Sequence, residues 1–198
     1  MIFITGGARS GKSSFAEELA AGRGQKVTYL ATASPGDAEM RERIESHRHR
    51  RPEAWKTVEV AGDLAGAIRQ ALKGSGTVLV DCITVYLAGL MQQMGDSADG
   101  GLGGDSADGG LGGAVSGGAS ISGRIADTAE QEVERLVDVC RSGNGRVIIV
   151  GNEVGMGIVP GSPLGRAFRD VAGRANQKLA AAADEVYLCV SGIPLKVK

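Results

Sequence analysis

Residues 6–13 read Gly-Gly-Ala-Arg-Ser-Gly-Lys-Ser and have the spacing G-x-x-x-x-G-K-S. An apolar run at 2–5 precedes the segment and a helical pattern follows it, which is the context of a phosphate-binding loop, or P-loop. Glycines let backbone N–H groups turn toward an anion, and the following helix adds the positive end of its dipole. The pattern predicts binding of a nucleoside triphosphate. The predicted contacts are Gly6, Gly7, Ala8, Arg9, Ser10, Gly11, Lys12 and Ser13.

Two side chains of this loop and one distant acid have predicted roles at the phosphates. Lys12 is expected to reach the β- and γ-phosphates, and the Ser13 hydroxyl to bind Mg²⁺. A predicted strand at 77–81 ends in Asp81. An acid at the end of an apolar strand is the usual partner of a P-loop, where it holds Mg²⁺ directly or through water. Ser13 and Asp81 are therefore the predicted metal ligands.

The composition limits the class of protein. A chain of 198 residues fits one α/β domain, here taken as 1–198. The net charge of -1 does not indicate the basic surface that binding of nucleic acid requires. Cys82, Cys140 and Cys189 lie far apart, which indicates buried thiols in a reducing compartment and no metal pair. The apolar runs are too short to span a bilayer, and no signal peptide is evident, so we expect a cytoplasmic protein without stable membrane insertion.

Strand and helix patterns alternate along most of the chain. The strand patterns fall at 2–5, 27–32, 56–59, 77–81, 147–151, 186–190 and 193–197. Helical patterns fall at 12–21, 35–50, 63–72, 84–94, 125–140 and 163–179. This alternation predicts a mostly parallel sheet with helices on both faces. Ser191 and Gly192 separate the last two strand patterns and predict a tight hairpin, so one edge strand should be antiparallel.

One segment does not fit a packed domain. The nonapeptide DSADGGLGG occurs twice in tandem at 96–104 and 105–113, and glycine and serine remain dense to residue 123. A calcium-binding β-helix repeat needs several copies to bury a core, and there is barely one here. The composition favours a flexible insertion at about 95–123, within one domain and without assigned chemistry.

Polar residues follow several predicted strands at the edge where α/β sheets bind ligands. Ala31, Thr32 and Ala33 and the acid Glu59 are predicted neighbours of the nucleotide. Asn152 and Glu153 follow the strand at 147–151. This pair is equally compatible with a ligand site and with an ordinary polar turn.

Both histidines lie in a basic segment at 39–52 that also holds five arginines. In a helix, Arg43, His47 and Arg51 form one stripe, and His49 lies on another side. Nearby guanidinium groups disfavour the imidazolium form of His47, and a neutral imidazole is a nucleophile. The arginines would hold phosphate oxygens. The spacing alone favours the alternative, which is a solvated basic helix face with incidental histidines.

Seven motifs occur in order along the chain. They are GGARSGKS at the start, ATA at 31–33, D-x-E-M-x-x-R-I-x-x-H-x-x-R-R-P-x-x-W-x-T-x-E at 37–59, DCIT at 81–84, NEVGMGIVP at 152–160, F-R-D-x-A-G-R-x-N-Q-x-L-A-x-x-A-D-E-V at 168–186 and the tail SGIPLKVK. Together they resemble the bifunctional adenosylcobinamide kinase / adenosylcobinamide-phosphate guanylyltransferases of cobalamin assembly. The resemblance covers nearly the whole chain outside 95–123.

This resemblance implies two reactions. ATP or GTP phosphorylates the aminopropanol hydroxyl of adenosylcobinamide, and GTP then donates GMP to adenosylcobinamide phosphate with release of pyrophosphate. The second reaction passes through a GMP-histidine intermediate, and the matching residue is His47. The resemblance also implies a RecA-like fold, a homotrimer and nucleotide contacts by Arg48, His49, Arg50, Arg51 and Glu59.

Two other functions remain compatible with the residues. The first is a P-loop kinase of another small alcohol, which would transfer a γ-phosphate without forming a GMP adduct. The second is a RecA-like regulatory module, which would bind a nucleotide without turning over a corrinoid.

Overall fold

A seven-stranded, mostly parallel sheet forms the centre of the protein, in the strand order β3-β2-β4-β5-β1-β6-β7. The computed structural model describes residues 1–22, 26–33, 38–99 and 121–198. The strands are β1 Ile2–Gly6, β2 Val27–Ala31, β3 Lys56–Glu59, β4 Thr77–Asp81, β5 Arg146–Val150, β6 Glu185–Val190 and β7 Ile193–Lys196. The helices are α1 Lys12–Ala21, α2 Ala38–Arg50, α3 Leu64–Leu72, α4 Ile83–Asp99, α5 Ile121–Ser142 and α6 Pro163–Ala182.

The strand register brings the ends of four strands into one row. Ala31 pairs with Glu59 on one side and with Asp81 on the other, and Asp81 in turn pairs with Val150. On the far side of β5, β1 leads directly into the phosphate loop. The strand that ends in Asp81 is thus separated from the phosphate-loop strand by β5 alone. This is the arrangement of a RecA-like P-loop domain, and it confirms the predicted fold class.

Alternating side chains of each strand enter two cores, one on each face of the sheet. Ile4, Leu79 and Ile148 pack toward the face that α1 covers. Their neighbours Phe3 and Val80 belong to the larger core on the other face, together with side chains of α3, α4, α5 and α6. Helices therefore cover both faces, which is why the central strands read as continuous apolar runs.

The C-terminal strands form the predicted antiparallel hairpin. Val190 pairs with Ile193, and the turn residues Ser191 and Gly192 have positive φ angles of 51° and 84°. Positive φ at both central turn residues matches the twist of a two-residue hairpin. The turn packs on the phosphate loop, because the N–H of Gly192 donates to the carbonyl of Ser10 at 3.0 Å.

The predicted strand boundaries agree with the structure to within one residue, whereas the boundaries of the glycine-rich insertion were wrong. Helix α4 continues to Asp99 and α5 begins at Ile121, so residues 95–99 and 121–123 are helical. Both helices are anchored on the larger core through Leu87, Met91 and Ile125, and a nucleated helix extends at little cost per residue. The rest of the repeat, at 100–120, lies outside the described residues. So does the helix start predicted at Ser34 and Pro35.

None of the helices in the described ranges combines the length and the apolar character that crossing a membrane requires.

A buried hydrogen-bonded group joins α4 to α5. The carboxylate of Glu132, which is 7% exposed, accepts hydrogen bonds from the Tyr86 hydroxyl at 3.0 Å and from the Arg135 guanidinium at 2.8 Å. Burial, and then the charge of Glu132, raise the pKa of Tyr86, so its hydroxyl remains a donor.

Replacing Tyr86 with phenylalanine should leave one buried Glu132 oxygen without its partner. We expect the free energy of unfolding to fall by about 1–2 kcal/mol in urea denaturation. Tyr187→Phe is the matched control, because its hydroxyl also bonds a glutamate, Glu185, but at the sheet edge where Lys196 bonds the same carboxylate. The control should change stability by less than about 0.5 kcal/mol. If both variants lost the same free energy of unfolding, the burial of Glu132 would not be the reason that its hydrogen bond with Tyr86 stabilises the protein.

Candidate active site

A cavity of about 220 Å³ opens at the carboxyl ends of β2, β4 and β5, between the phosphate loop and α2. Most of the residues that line it come from elements far apart in the chain. They are Ala8, Lys12, Ser13, Tyr29, Ala31, Ala33, Ile44, Arg48, Arg51, Thr57, Glu59, Asp81, Cys82, Val85 and Asn152. The parallel register explains this convergence, since it ends each strand at the same edge.

The phosphate loop connects β1 to α1 as its sequence predicts. Lys12 is 9% exposed, and its Nζ donates to the carbonyl of Gly7 at 3.0 Å. Gly11 stands before the first turn of α1 with φ at 87°, and a Cβ there would lie 3.0 Å from the Cα of Gly192. Glycine is thus required at position 11 both by its left-handed backbone and by the hairpin turn packed against it. Lys12 and Ser13, the two residues after Gly11, both line the cavity.

Asp81 and Ser13 line the same cavity, and a tyrosine orients Asp81. The Tyr29 hydroxyl donates to Oδ2 of Asp81 at 2.8 Å. Burial, reinforced by the charge of Asp81, raises the pKa of Tyr29 far above its ordinary value, so the phenol stays protonated and keeps donating. A hydroxyl and a carboxylate in one cavity are oxygen donors of the kind that Mg²⁺ accepts when phosphates and water complete its shell.

Arg51, just beyond α2, lies against the same tyrosine. The central carbon of its guanidinium is 3.4 Å from the centre of the Tyr29 ring, a cation–π contact. One of its terminal nitrogens donates to the Thr57 hydroxyl at 3.5 Å. Its Nε is buried and has no hydrogen-bond partner among the described residues. Tyr29 therefore joins the end of the basic helix to the carboxylate of Asp81.

The two histidines both lie in α2, as predicted, but only one has a described side chain. His49 is exposed, and its Nδ1 is 2.8 Å from the carbonyl oxygen of Glu45. It is not among the residues that line the cavity, which is consistent with its predicted place on a different side of the helix from His47. The side chains of Arg43, His47 and Arg50 are outside the described set. The described neighbours of His47 in the same helix, Ile44 and Arg48, both line the cavity.

The side chain of Thr32 is hydrogen-bonded to the main chain of Cys82, the residue after Asp81. The Thr32 hydroxyl donates to the carbonyl of Cys82 at 2.7 Å and accepts from the N–H of Cys82 at 2.9 Å. Thr32 itself is buried and does not line the cavity, whereas Ala31 and Ala33 do. Cys82 is partly exposed to the cavity, unlike the buried Cys140 and Cys189. Burial, and then the charge of Asp81, raise the pKa of the Cys82 thiol to about 11, so it is not a thiolate nucleophile at neutral pH.

Asn152 and Glu153 follow β5 and lie in two different cavities. Asn152 lines the cavity described above, and its Oδ1 is buried with no hydrogen-bond partner among the described residues. Its main chain is fixed from both sides, by the Thr84 hydroxyl at 2.6 Å and by the Asn176 amide at 3.1 Å. Glu153 lines a second cavity together with Gly7, Arg9 and Ser10. A buried unpartnered amide oxygen favours the ligand-site alternative for Asn152.

Sequence reasoning did not identify several residues of the site, and Tyr29 is the most important of them. One signal was available, because a tyrosine inside the apolar run of β2 must bury its hydroxyl and needs a partner there. Ile44, Thr57 and Val85 carried no comparable signal. They reach the cavity only because of how α2, β3 and α4 pack.

Several solved ATPase structures are similar to this chain at low sequence identity. The assembled ATPase EscN from the enteropathogenic E. coli type III secretion system has a TM-score of 0.49 at 14% identity, over 96% of this chain and 42% of that chain. The RadB recombinase has a TM-score of 0.42 at 14% identity, over 94% of this chain and 72% of that chain. A prototypical type III secretion ATPase has a TM-score of 0.46.

Sequence comparisons are far stronger and span nearly the whole chain. The family model described as cobinamide kinase / cobinamide phosphate guanyltransferase matches residues 2–197. The bifunctional adenosylcobalamin biosynthesis protein CobU of Escherichia coli is 42% identical over 100% of this chain and 99% of that protein. Its counterpart in Salmonella typhimurium is 41% identical over the same shares, and CobP of Pseudomonas aeruginosa is 37% identical over 98% and 95%. This chain belongs to the cobinamide kinase / cobinamide phosphate guanyltransferase family.

Proposed function

We propose that this protein is a bifunctional enzyme of adenosylcobalamin biosynthesis that phosphorylates adenosylcobinamide and then transfers GMP to the product. The observation that carries the proposal is that one cavity joins the phosphate loop to α2, the helix that contains His47. ATP or GTP would serve the first reaction, and GTP the second. Family membership at 37–42% identity supports the same pair of reactions.

His47 is the proposed nucleophile of the GMP transfer. Its Nε2 or Nδ1 lone pair would form a bond to the α-phosphorus of GTP, while the bond from that phosphorus to the β-phosphate oxygen breaks and pyrophosphate leaves. The acceptor phosphate of adenosylcobinamide phosphate would then displace the imidazole and form adenosylcobinamide-GDP. Arg48 and Arg51, which line the cavity, can neutralise the negative charge that develops during attack. The raised pKa of the Cys82 thiol, which lines the cavity, makes this side chain a poor rival nucleophile at neutral pH.

Nucleotide contacts are proposed for the residues of the phosphate loop, for Ala31, Thr32 and Ala33, for the stretch 48–51, and for Glu59 and Asp81. Nine of these line the first cavity, as their positions on the sheet edge and on α2 would require: Ala8, Lys12, Ser13, Ala31, Ala33, Arg48, Arg51, Glu59 and Asp81. Thr32 would act indirectly, through its two hydrogen bonds to Cys82. His49 would contact nucleotide only after leaving its contact with Glu45.

Ser13 and Asp81 would hold the Mg²⁺ that accompanies the triphosphate, and the ion would supply neutralisation of phosphate charge. Both side chains line the same cavity and both offer oxygen. Tyr29 positions the carboxylate through its 2.8 Å hydrogen bond.

Tyr29→Phe removes this hydrogen bond but keeps the ring under Arg51. We expect the Mg²⁺ concentration that gives half-maximal phosphorylation to rise by about 10- to 100-fold, which is the usual effect of losing a partner of a metal ligand. The measurement is a Mg²⁺ titration of adenosylcobinamide phosphorylation at saturating nucleotide. Tyr187→Phe should leave the titration unchanged, because Tyr187 does not line the cavity and its hydroxyl bonds Glu185 instead. An unaltered titration in Tyr29→Phe would show that Asp81 does not depend on this tyrosine.

We further propose a homotrimer that works in the cytoplasm, where ATP and GTP are available. The trimer rests on the family resemblance, and the compartment is compatible with three free cysteines. Sedimentation of the purified protein would test the trimer.

One assay separates the proposed function from its two alternatives. The protein is incubated with adenosylcobinamide and Mg²⁺, with ATP alone, with GTP alone or with both, and the corrinoid products are identified by mass. The proposal predicts adenosylcobinamide phosphate and, with GTP, adenosylcobinamide-GDP. Phosphorylation without GMP transfer would indicate a simple kinase. Nucleotide binding without any corrinoid product would indicate a regulatory module.

A further inference from the structure

A second cavity, of about 350 Å³, lies on the other side of the phosphate loop from the first. Its walls are residues 7–10 of the loop, residues 188–191 of β6 and its turn, and Glu153 and Met156 beyond β5. The first cavity lies over β2 and β4, whereas the second lies over β6, and β1 with its loop stands between them. Ala8 lines both cavities, so the two meet at the start of the phosphate loop.

The meeting point is where a terminal phosphate would lie. Lys12 is the residue that reaches the β- and γ-phosphates in such loops, and its Nζ is already directed to Gly7, 3.0 Å from the carbonyl oxygen. The rest of the nucleotide would extend into the first cavity, toward Ser13 and Asp81. An acceptor that attacks the γ-phosphate in line must approach from the side away from the leaving diphosphate. The second cavity provides an approach from the other side of the loop.

Two polar side chains in the second cavity are placed for an acceptor hydroxyl. Glu153 is fixed next to the loop, since its N–H donates to the carbonyl of Gly6 at 3.0 Å and its Oε1 accepts from the N–H of Gly155 at 2.9 Å. Ser10 is 7% exposed, and its Oγ has no hydrogen-bond partner among the described residues. Both residues line the second cavity, so a polar group of a ligand in this cavity would meet the fixed carboxylate of Glu153.

The mouth of this cavity is apolar and exposed. Met156 is 84% exposed and Val190 is 48% exposed, and both line the cavity. Ile158, on the same loop as Met156, is 96% exposed. The cavity itself is too small for a corrinoid, whereas its volume suits a short arm with a terminal hydroxyl. The exposed apolar side chains would then lie against the macrocycle that carries the arm.

We propose that the second cavity is the acceptor site of the phosphorylation, taking the aminopropanol arm of adenosylcobinamide, and that Glu153 is the general base. The inference rests on the proposed function. The acceptor oxygen forms a bond to the γ-phosphorus, the bond from that phosphorus to the β-phosphate oxygen breaks, and its electron pair leaves with the nucleoside diphosphate. The hydroxyl proton passes to the Glu153 carboxylate. Asn152 would then contact the nucleotide in the first cavity, and Glu153 would contact the acceptor in the second cavity.

The test measures the two reactions separately in Glu153→Gln, with Glu18→Gln on the exposed side of α1 as the matched control. Phosphorylation is followed with γ-labelled nucleotide and adenosylcobinamide. We expect kcat in Glu153→Gln to fall by about 100-fold or more, the usual contribution of a general base. Protein-bound GMP formed from GTP alone should persist, because that step uses no acceptor hydroxyl. Two results would overturn the assignment of Glu153. One is a kcat for phosphorylation within threefold of the wild type, and the other is a loss of protein-bound GMP as large as the loss of phosphorylation.

The mouth of the cavity is tested with Val190→Ser against Val197→Ser, two exposed valines of the same hairpin. Only Val190 lines the cavity. We expect KM for adenosylcobinamide to rise about 5- to 20-fold in Val190→Ser, with KM for the nucleotide unchanged, and no change in Val197→Ser. Equal corrinoid KM values in all three proteins would overturn the acceptor site. Failure of the proposed function would be distinct, because the wild-type protein would then phosphorylate no corrinoid at all.

Discussion

Replacing Lys12 with methionine is expected to lower both adenosylcobinamide phosphorylation and GMP transfer by about 10²- to 10³-fold, the usual cost of removing one charged donor from a transition state. Lys12 lines the first cavity and is 9% exposed, with its amine directed to the carbonyl of Gly7. In phosphorylation, it would neutralise the leaving diphosphate. In GMP transfer, it would neutralise the leaving pyrophosphate. A shared lysine therefore predicts a joint loss.

The two rates are measured in separate assays, with adenosylcobinamide for the first and with pre-formed adenosylcobinamide phosphate for the second. Lys26→Met is the matched control, since Lys26 is exposed before β2 and lines neither cavity. The thermal midpoint of each variant should be compared, because methionine fills the volume of Lys12 but cannot donate to Gly7. Loss of one reaction with retention of the other would contradict a single phosphate site for both.

The fold could be predicted from the sequence because its determinants are local. Each central strand is an apolar run buried on both faces, and the helices between the strands carry apolar stripes at helical spacing. The turn at Ser191 and Gly192 marked the antiparallel edge for the same reason. The insertion boundaries failed, because how far α4 and α5 extend depends on their packing on the core, which composition does not record.

The residues of the site also differ in whether a local sequence pattern is enough to predict them. Asp81 was found because an acid at the end of an apolar strand beside a P-loop is a local pattern. The contact of Tyr29 with Asp81 and Arg51 depends on the pairing of β2 with β4 and on where α2 ends, so it required the structure. The support of the phosphate loop by Gly192, some 180 residues along the chain from Gly11, is likewise a product of tertiary packing.

The central claim is that His47 is the nucleophile of GMP transfer. His49, the other histidine of the chain, provides a matched control. His47→Asn should abolish GMP transfer, since asparagine cannot form a phosphoramidate. Phosphorylation of adenosylcobinamide should remain within a fewfold of the wild type. His49→Asn keeps the proposed nucleophile, so it should still transfer GMP at saturating GTP and lose at most nucleotide affinity, because the His49 side chain is exposed and bonded to the backbone of its own helix. The two variants remove the same ring from the same helix, so a general loss of helicity would affect both.

The most direct measurement is the covalent adduct itself. Wild-type protein, His47→Asn and His49→Asn are incubated with Mg²⁺ and GTP labelled at the α-phosphate, without corrinoid, and are then denatured. The account predicts a label on wild type and on His49→Asn that is labile to acid and stable to alkali, and no label on His47→Asn. Absence of label from the wild type, or full labelling of His47→Asn, would contradict it.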